Sequence, residues 1–158
     1  MTGKTISLAM LLGMLVQPAK AVQVNFQGGL VEALPCTINN GELIEVDFGD
    51  NLVIRNLDGV RYSKSIPYKI DCSAAGIVRL SFKGTLSSFD YAAIQTNLTG
   101  LDIRILLNDA PISWQTSYFP NVDVQSPPVL TAVPVADPAQ PPSPGAFTAR
   151  ATLLAEYQ

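Results

Sequence analysis

The side chains able to do chemistry are few, and their types decide much. Histidine is absent, and Cys36 and Cys72 are the only cysteines. The commonest general base and proton shuttle is therefore missing, so neither a Ser-His triad nor a Cys-His nucleophile pair can form. Two thiols fall short of a four-cysteine metal site. Glu45 and Asp47 could offer carboxylates to calcium, but they alternate with Ile44, Val46 and Phe48, the pattern of a strand with one wet face. Trp114, Tyr118 and Phe119 could stack on a sugar, and equally suit core and loop packing. Asn97-Leu98-Thr99 matches a glycosylation acceptor, a tripeptide common by chance. No Gly-rich phosphate loop, paired carboxylate motif or Ser-x-x-Lys motif stands out. The chain does not read as an enzyme, and no catalytic residue, metal or cofactor is expected.

Charge and composition narrow the partners. Ten basic residues face thirteen acidic ones over 158 residues, for a net charge of −3. No window gathers Lys and Arg into the stripe a phosphate backbone requires, so nucleic acid is not an expected partner. Apolar residues make up 47% and charged residues 15%, against roughly 25% charged in ordinary domains. That composition and length describe one folded domain rather than a disordered chain.

The N-terminus carries Met1-Thr2-Gly3-Lys4, an apolar run from Ile6 to Val16, and Pro18-Ala19-Lys20-Ala21. A positive start, a short apolar stretch and a small-x-small site read as a signal peptide spanning residues 1–21. The run is shorter than the roughly 20 residues of a membrane span, so stable membrane insertion is not expected; an uncleaved anchor is the alternative. Cleavage after Ala21 would remove Lys4 and Lys20 and leave eight basic residues against thirteen acidic, a net charge of −5. In an oxidising compartment a Cys36–Cys72 disulfide is the favoured state, with two free thiols as the alternative. By loop-closure entropy that bridge would contribute roughly 3 to 4 kcal/mol.

Strand-like segments separated by Gly, Asn, Asp and Pro describe an all-β chain. They are Val24–Val31, Glu42–Phe48, Tyr62–Ile70, Ile77–Phe82, Leu101–Leu107 and Phe147–Tyr157, with a turn at Asn39-Asn40-Gly41. Val78, Leu80 and Phe82 share one face, as do Leu101, Ile103 and Ile105; two-faced strands of this kind build a sandwich. Seven of the twelve prolines fall between Pro127 and Pro144. Residues 126–144 are accordingly expected to form an extended surface loop that resists pairing in a central sheet.

The two ends carry the most pattern. From Gly145 onward Phe147, Ala149, Ala151, Leu153, Ala155 and Tyr157 share one face, and Thr148, Arg150, Thr152 and Glu156 the other, ending at Gln158. A strand this long needs cover on one face and pairing at its edges. At the other end Val22, Val24, Phe26, Gly28 and Leu30 share a face, with the glycine suited to a close backbone approach.

Taken in order, several motifs resemble the pilin subunits of chaperone–usher pili in Gram-negative bacteria. They are Val24-x-Phe26-x-Gly28-x-Leu30, Pro35-Cys36-Thr37-Ile38-Asn39-Asn40-Gly41, Val46-Asp47-Phe48-Gly49, Ile70-Asp71-Cys72, Leu80-Ser81-Phe82-Lys83-Gly84, and an ending with Gly145 fourteenth from the end and Tyr157 penultimate. Within the family the short stretch before Phe26 is similar to minor tip subunits, particularly the P-pilus tip adaptor; the Pro-rich segment departs from that pattern.

The resemblance implies an incomplete immunoglobulin-like sandwich lacking its final strand, over a pilin domain of residues 22–158. A periplasmic pilus chaperone would place a strand beside residues 145–158 and hold the Gln158 carboxylate. At the outer-membrane usher, the donor strand of a neighbouring pilin subunit would replace it. Residues 22–31 would in turn insert Val22, Val24, Phe26, Gly28 and Leu30 into the next subunit. The implied role is a structural subunit of an adhesive fimbrium on the cell surface, without enzymatic activity. A terminator subunit and a secreted glycan-binding sandwich built on Trp114, Tyr118 and Phe119 are the alternatives; 137 mature residues leave no room for a separate receptor-binding domain.

Overall fold

The computed structural model describes residues 25–29, 35–113 and 119–157. The chain divides into two units, residues 1–31 and 32–158. Of the first, residues 25–29 are exposed and form no strand ladder, with Phe26 92% exposed.

In the second unit alternating apolar residues produce ten strands. They are β1 (Cys36–Ile38), β2 (Lys64–Ser65), β3 (Ile70–Cys72), β4 (Ile77–Gly84), β5 (Ala93–Gln95), β6 (Leu101–Leu107), β7 (Ala110–Pro111), β8 (Phe119–Asp123), β9 (Leu130–Ala136) and β10 (Ala151–Tyr157). One sheet runs β2-β9-β6-β5 with β7 added to β6, a second runs β10-β4-β8, and β1 pairs with β3. Every pairing is antiparallel. Val78 and Leu80 of β4 pack into one core with Ile103 and Ile105 of β6, Leu130 and Ala132 of β9, Ile94 and Val122. The inward faces of β4 and β6 are those the alternation predicts.

Asn39, Asn40 and Gly41 all take positive φ, 48°, 54° and 83°, which Asn and Gly tolerate best. The turn returns the chain from β1 and is held by Asn39, whose Oδ1 accepts from Lys69 N–H at 2.7 Å.

Three expectations are corrected. Residues 42–48 form no ladder, although Ile44, Val46 and Phe48 are half-buried and Leu43, Glu45 and Asp47 exposed. Alternation records which side is covered, whereas a ladder also needs a partner edge, and none among the described residues pairs with this segment. The strand expected over 62–70 shrinks to Lys64–Ser65 and the start of β3. Tyr62 sits at φ 63° and Pro67 lacks an N–H, so the stretch cannot pair continuously.

The third correction concerns the Pro-rich segment, which is no surface loop throughout. Within it β9 lies between β2 and β6 and is buried along most of its length, Pro134 included. Leu130 O accepts from Ile66 N–H, and Ala136 N–H donates to Leu57 O, so even-numbered positions turn their backbone groups away from β6. The nitrogen of Pro134 therefore faces that same edge. The β2 ladder there ends at Lys64–Ala132, and the isolated Asp58–Val135 bridge lies beyond. Proline costs no hydrogen bond to β6 at that position, which is how a central strand accommodates it.

Candidate functional site

The C-terminal segment changes sheets as it runs. Thr148 and Ala149 are bonded to the turn after β5, through a Thr96–Ala149 bridge and hydrogen bonds between Asn97 and Thr148. Two residues later the chain joins β4, in register from Ala151–Gly84 to Tyr157–Val78. β10 is thus an edge strand: β4 pairs one side of it, and among the described residues no ladder occupies the other. β1 runs close to β10 without pairing to it.

Several apolar side chains that pack against the core are only partly covered, those of the C-terminal segment among them. Phe147, Ala149, Leu153 and Ala155 pack against the core from the C-terminal segment, and Cys36, Ile38, Ile44, Val46, Phe48 and Phe82 do so from elsewhere, yet all stay half-buried. Phe48 and Phe147 meet with ring centroids 6.0 Å apart at 40°, within the range of favourable aromatic pairs. Unpaired backbone groups beside half-covered apolar side chains can receive an added strand, whose N–H and C=O groups complete the ladder while alternate side chains complete the cover.

Cys36 and Cys72 are disulfide-bonded across directly opposed positions of β1 and β3. The bridge ties the chain entering β1 to the chain entering β4. Asn39 N–H donates to Lys69 O and Ser73 N–H to Pro35 O, so the backbone bonds flank the cysteine pair and leave it at a non-hydrogen-bonded position. Side chains approach most closely at such positions.

The other sequence-predicted residues divide unevenly. Gly145 is exposed, and Ala151 is exposed rather than on the half-buried face, lying opposite Gly84. Tyr157 ends the β10 ladder. Phe26 is exposed and Gly28 has open space around it; Val22, Val24, Leu30 and Gln158 lie outside the described residues, as do the signal segment 1–21, Trp114 and Tyr118. Phe119 opens β8 opposite Leu80. Glu45 and Asp47 are exposed, and Asp47 Oδ1 accepts from Gly49 N–H at 2.8 Å, closing a local turn.

Sequence reasoning missed three features. Arg104 Nε lies 2.7 Å from Asp90 Oδ2, a largely buried ion pair joining β6 to the turn before β5. Two residues earlier on β6, Asp102 is 4% exposed and accepts from Thr96 N–H at 3.1 Å. Charged residues alternating with Leu101, Ile103 and Ile105 read as a wet face, and only tertiary structure covers them. Tyr68 was also silent: its hydroxyl donates to Pro128 O at 2.6 Å, and burial pushes its pKa up to about 12.

Comparison with known proteins adds to the geometry. A family described as "Fimbrial protein" matches residues 24–158. The uncharacterised fimbrial-like protein YfcQ of Escherichia coli strain K12 is 33% identical over 141 residues, covering 85% of this chain and 86% of the relative. The fimbrial-like protein YfcR of the same strain is 34% identical over 131 residues, 78% of this chain and 74% of the relative. Among solved structures, the P pilus adaptor subunit PapF is 25% identical with a TM-score of 0.58, over 78% of this chain and 96% of that one. The P pilus rod subunit PapA shares the fold at 22% identity and a TM-score of 0.60, over 86% and 100%.

Proposed function

The chain belongs to the fimbrial protein family as a chaperone–usher pilin, and we propose that it serves there as a minor tip or adaptor subunit of an adhesive fimbrium. In this reading residues 1–21 direct export and residues 22–158 form the subunit. A periplasmic chaperone, then a neighbouring pilin at the outer-membrane usher, lends a strand beside residues 145–158. Residues 22–31 are lent in turn to another subunit, through Val22, Val24, Phe26, Gly28 and Leu30.

The observation that carries this reading is the unpaired edge of β10 beside half-buried Phe147, Leu153 and Ala155. An edge of that kind left bare would promote aggregation, so it calls for an occupant. A strand contributing Val24, Phe26 and Leu30 to an equivalent edge would bury apolar surface worth on the order of 5 to 8 kcal/mol before the cost of ordering it. The exposed Phe26 is consistent with a residue meant for another chain. The solved structures it resembles include both the adaptor PapF and the rod subunit PapA, so the adaptor role is carried by the short stretch before Phe26.

The experiment is periplasmic expression with and without the cognate chaperone, followed by challenge of the purified complex with donor peptides from candidate neighbours. Chaperone-dependent recovery with peptide exchange is the expected result. Chaperone dependence without exchange would assign a terminator instead, and a stable monomer made without chaperone would overturn the reading.

A further inference from the structure

The outer edge of the five-stranded sheet is interrupted at one place. Residues 57–66 run along β9, joined at one end by Ala136 N–H to Leu57 O and the Asp58–Val135 bridge. At the other end they are joined by Lys64–Ala132, Ser65–Thr131 and Ile66 N–H to Leu130 O. Between Asp58 and Lys64 this chain spends five residues, 59–63, where β9 spends two, Val133 and Pro134. The three surplus residues leave the ladder as a turn, opposite the one position of β9 that has no N–H to offer.

The turn is fastened on every side. Gly59 and Tyr62 take positive φ, 76° and 63°, and a tyrosine keeps that conformation only where its surroundings hold it. Asp58 Oδ1 accepts from Val60 N–H at 2.9 Å and from Arg61 N–H at 2.8 Å. The Arg61 guanidinium donates to Asn56 Oδ1 at 2.9 Å, and the Tyr62 hydroxyl accepts from Val53 N–H at 3.2 Å. Arg104, paired with Asp90, lies against Gly59, where a Cβ would collide with its guanidinium. Without the three surplus residues, Leu57, Asp58 and residues 62–66 would form a regular edge of the same length as β10, open to pairing with another chain.

We propose that this fastened turn closes the sheet edge to a second copy of the chain, leaving β10 as the subunit's single strand-accepting edge. The clause on β10 rests on the assembly reading; the closure of this edge does not. The other described edges are closed by other means. Thr85–Ser87 covers β5 through Gln95 N–H to Thr85 O and Ser87 N–H to Ala93 O. On β7, Ile112 N–H donates to Ile105 O, so Pro111 turns its nitrogen outward and offers no donor there. β8 shifts register against β4 and holds Asn121 at φ 43°. Among the described edges β10 alone combines seven residues with an unbroken register.

The test deletes Gly59, Val60 and Arg61 from the full exported chain, recovered from the periplasm free or with its chaperone. Particle mass is measured by sedimentation from roughly 1 to 100 µM, a span that reveals micromolar pairing. The parent chain should stay at one copy per particle, and the deletion variant should self-associate at least tenfold more tightly, with slowed amide exchange over residues 62–66. Because Ile66 N–H bonds β9, Ser65 N–H points outward, and Ser65→Pro added to the deletion should restore single copies. If the deletion variant is not recovered folded, Asn56→Ala with Tyr62→Phe, which unfastens the turn at unchanged chain length, is measured against the same outcomes. A parent chain that pairs through residues 57–66, a folded variant that stays single, or pairing unmoved by Ser65→Pro would each overturn the proposal. Donor-peptide exchange in the same samples reports on β10 separately: its absence would remove the acceptor role and leave the closed edge standing.

Discussion

Asn97 and Thr148, 51 positions apart, exchange two hydrogen bonds: Asn97 N–H donates to Thr148 O at 3.0 Å, and Thr148 N–H donates to Asn97 Oδ1 at 2.6 Å. This pair sets where the C-terminal segment leaves one sheet for the other, just before β10 begins. Asn97→Ala removes the side-chain acceptor, a loss of about 1 kcal/mol. Amide hydrogen exchange should quicken at Thr148 and Ala149 while Val78 and Leu80 stay protected. Equal exchange in both proteins would mean that the β4 ladder alone positions the segment.

Opposite ends of the chain should respond differently to the same kind of change. Phe26→Asp is expected to leave chaperone binding intact and to abolish insertion into the next subunit, because residue 26 acts only as donor in the proposed assembly. Leu153→Asp places a charge among the half-buried side chains of β10 and should reduce recovery of the chaperone complex itself. Co-purification from periplasm followed by fibre incorporation separates the two. Normal incorporation of the Phe26 variant would remove residues 22–31 from the donor role.

Much of this architecture is legible in residue order, and the failures have physical causes. Inward faces at Val78, Leu80, Ile103 and Ile105 follow directly from alternation, since burial on one side of a strand imposes a period of two. The same signal at Ile44, Val46 and Phe48 gives the covered side correctly and the ladder wrongly, because pairing depends on an edge elsewhere in the chain. Pro134 misleads in the opposite direction: the run Leu130-Thr131-Ala132-Val133-Pro134-Val135-Ala136 is nearly continuous in apolar residues, the mark of a strand covered on both faces. Proline composition outweighed it. The close approach of residues 140–142 to Gly100 left no trace in sequence, as it joins segments far apart in the chain.

The cross-strand disulfide provides a stability prediction. Replacing Cys36 and Cys72 together by Ala releases the chain between them in the unfolded state, at a cost of roughly 3 to 4 kcal/mol from loop-closure entropy. Denaturant unfolding of the donor-peptide complex should show this as a lower midpoint with an altered slope. A shift below about 1 kcal/mol would mean that the β1–β3 pairing already constrains the unfolded chain.

Tyr68 gives the fold an alkaline limit. Its pKa is raised by burial to about 12, above an ordinary value of 10.0. Below pH 10 the ring is neutral in both states and the contribution is complete. As pH rises from 10 towards 12 the unfolded chain ionises first, and stability falls. Tyr68→Phe should flatten this alkaline loss while lowering stability near pH 7, where the hydroxyl donates to Pro128 O. Identical alkaline profiles for both proteins, followed by fluorescence-detected unfolding, would assign the loss to other groups.

Position along β9 decides what proline does there. Val133 and Pro134 are both fully buried and adjacent, but their backbone nitrogens face opposite edges. Val133 turns towards β6, opposite Arg104, where the ladder is continuous from Leu101 to Leu107. Val133→Pro would delete a ladder hydrogen bond and force a ring into the paired edge, a loss of about 3 kcal/mol or more by analogy with helix interiors. Pro134→Ala, facing the break between β2 and Asp58, loses some packing and some rigidity of the unfolded chain, together about 1 kcal/mol. Urea midpoints of the two variants should therefore differ widely in spite of their adjacency. Similar losses would show that the edge facing Leu57 and Asp58 bears as much of the sheet as the edge facing β6.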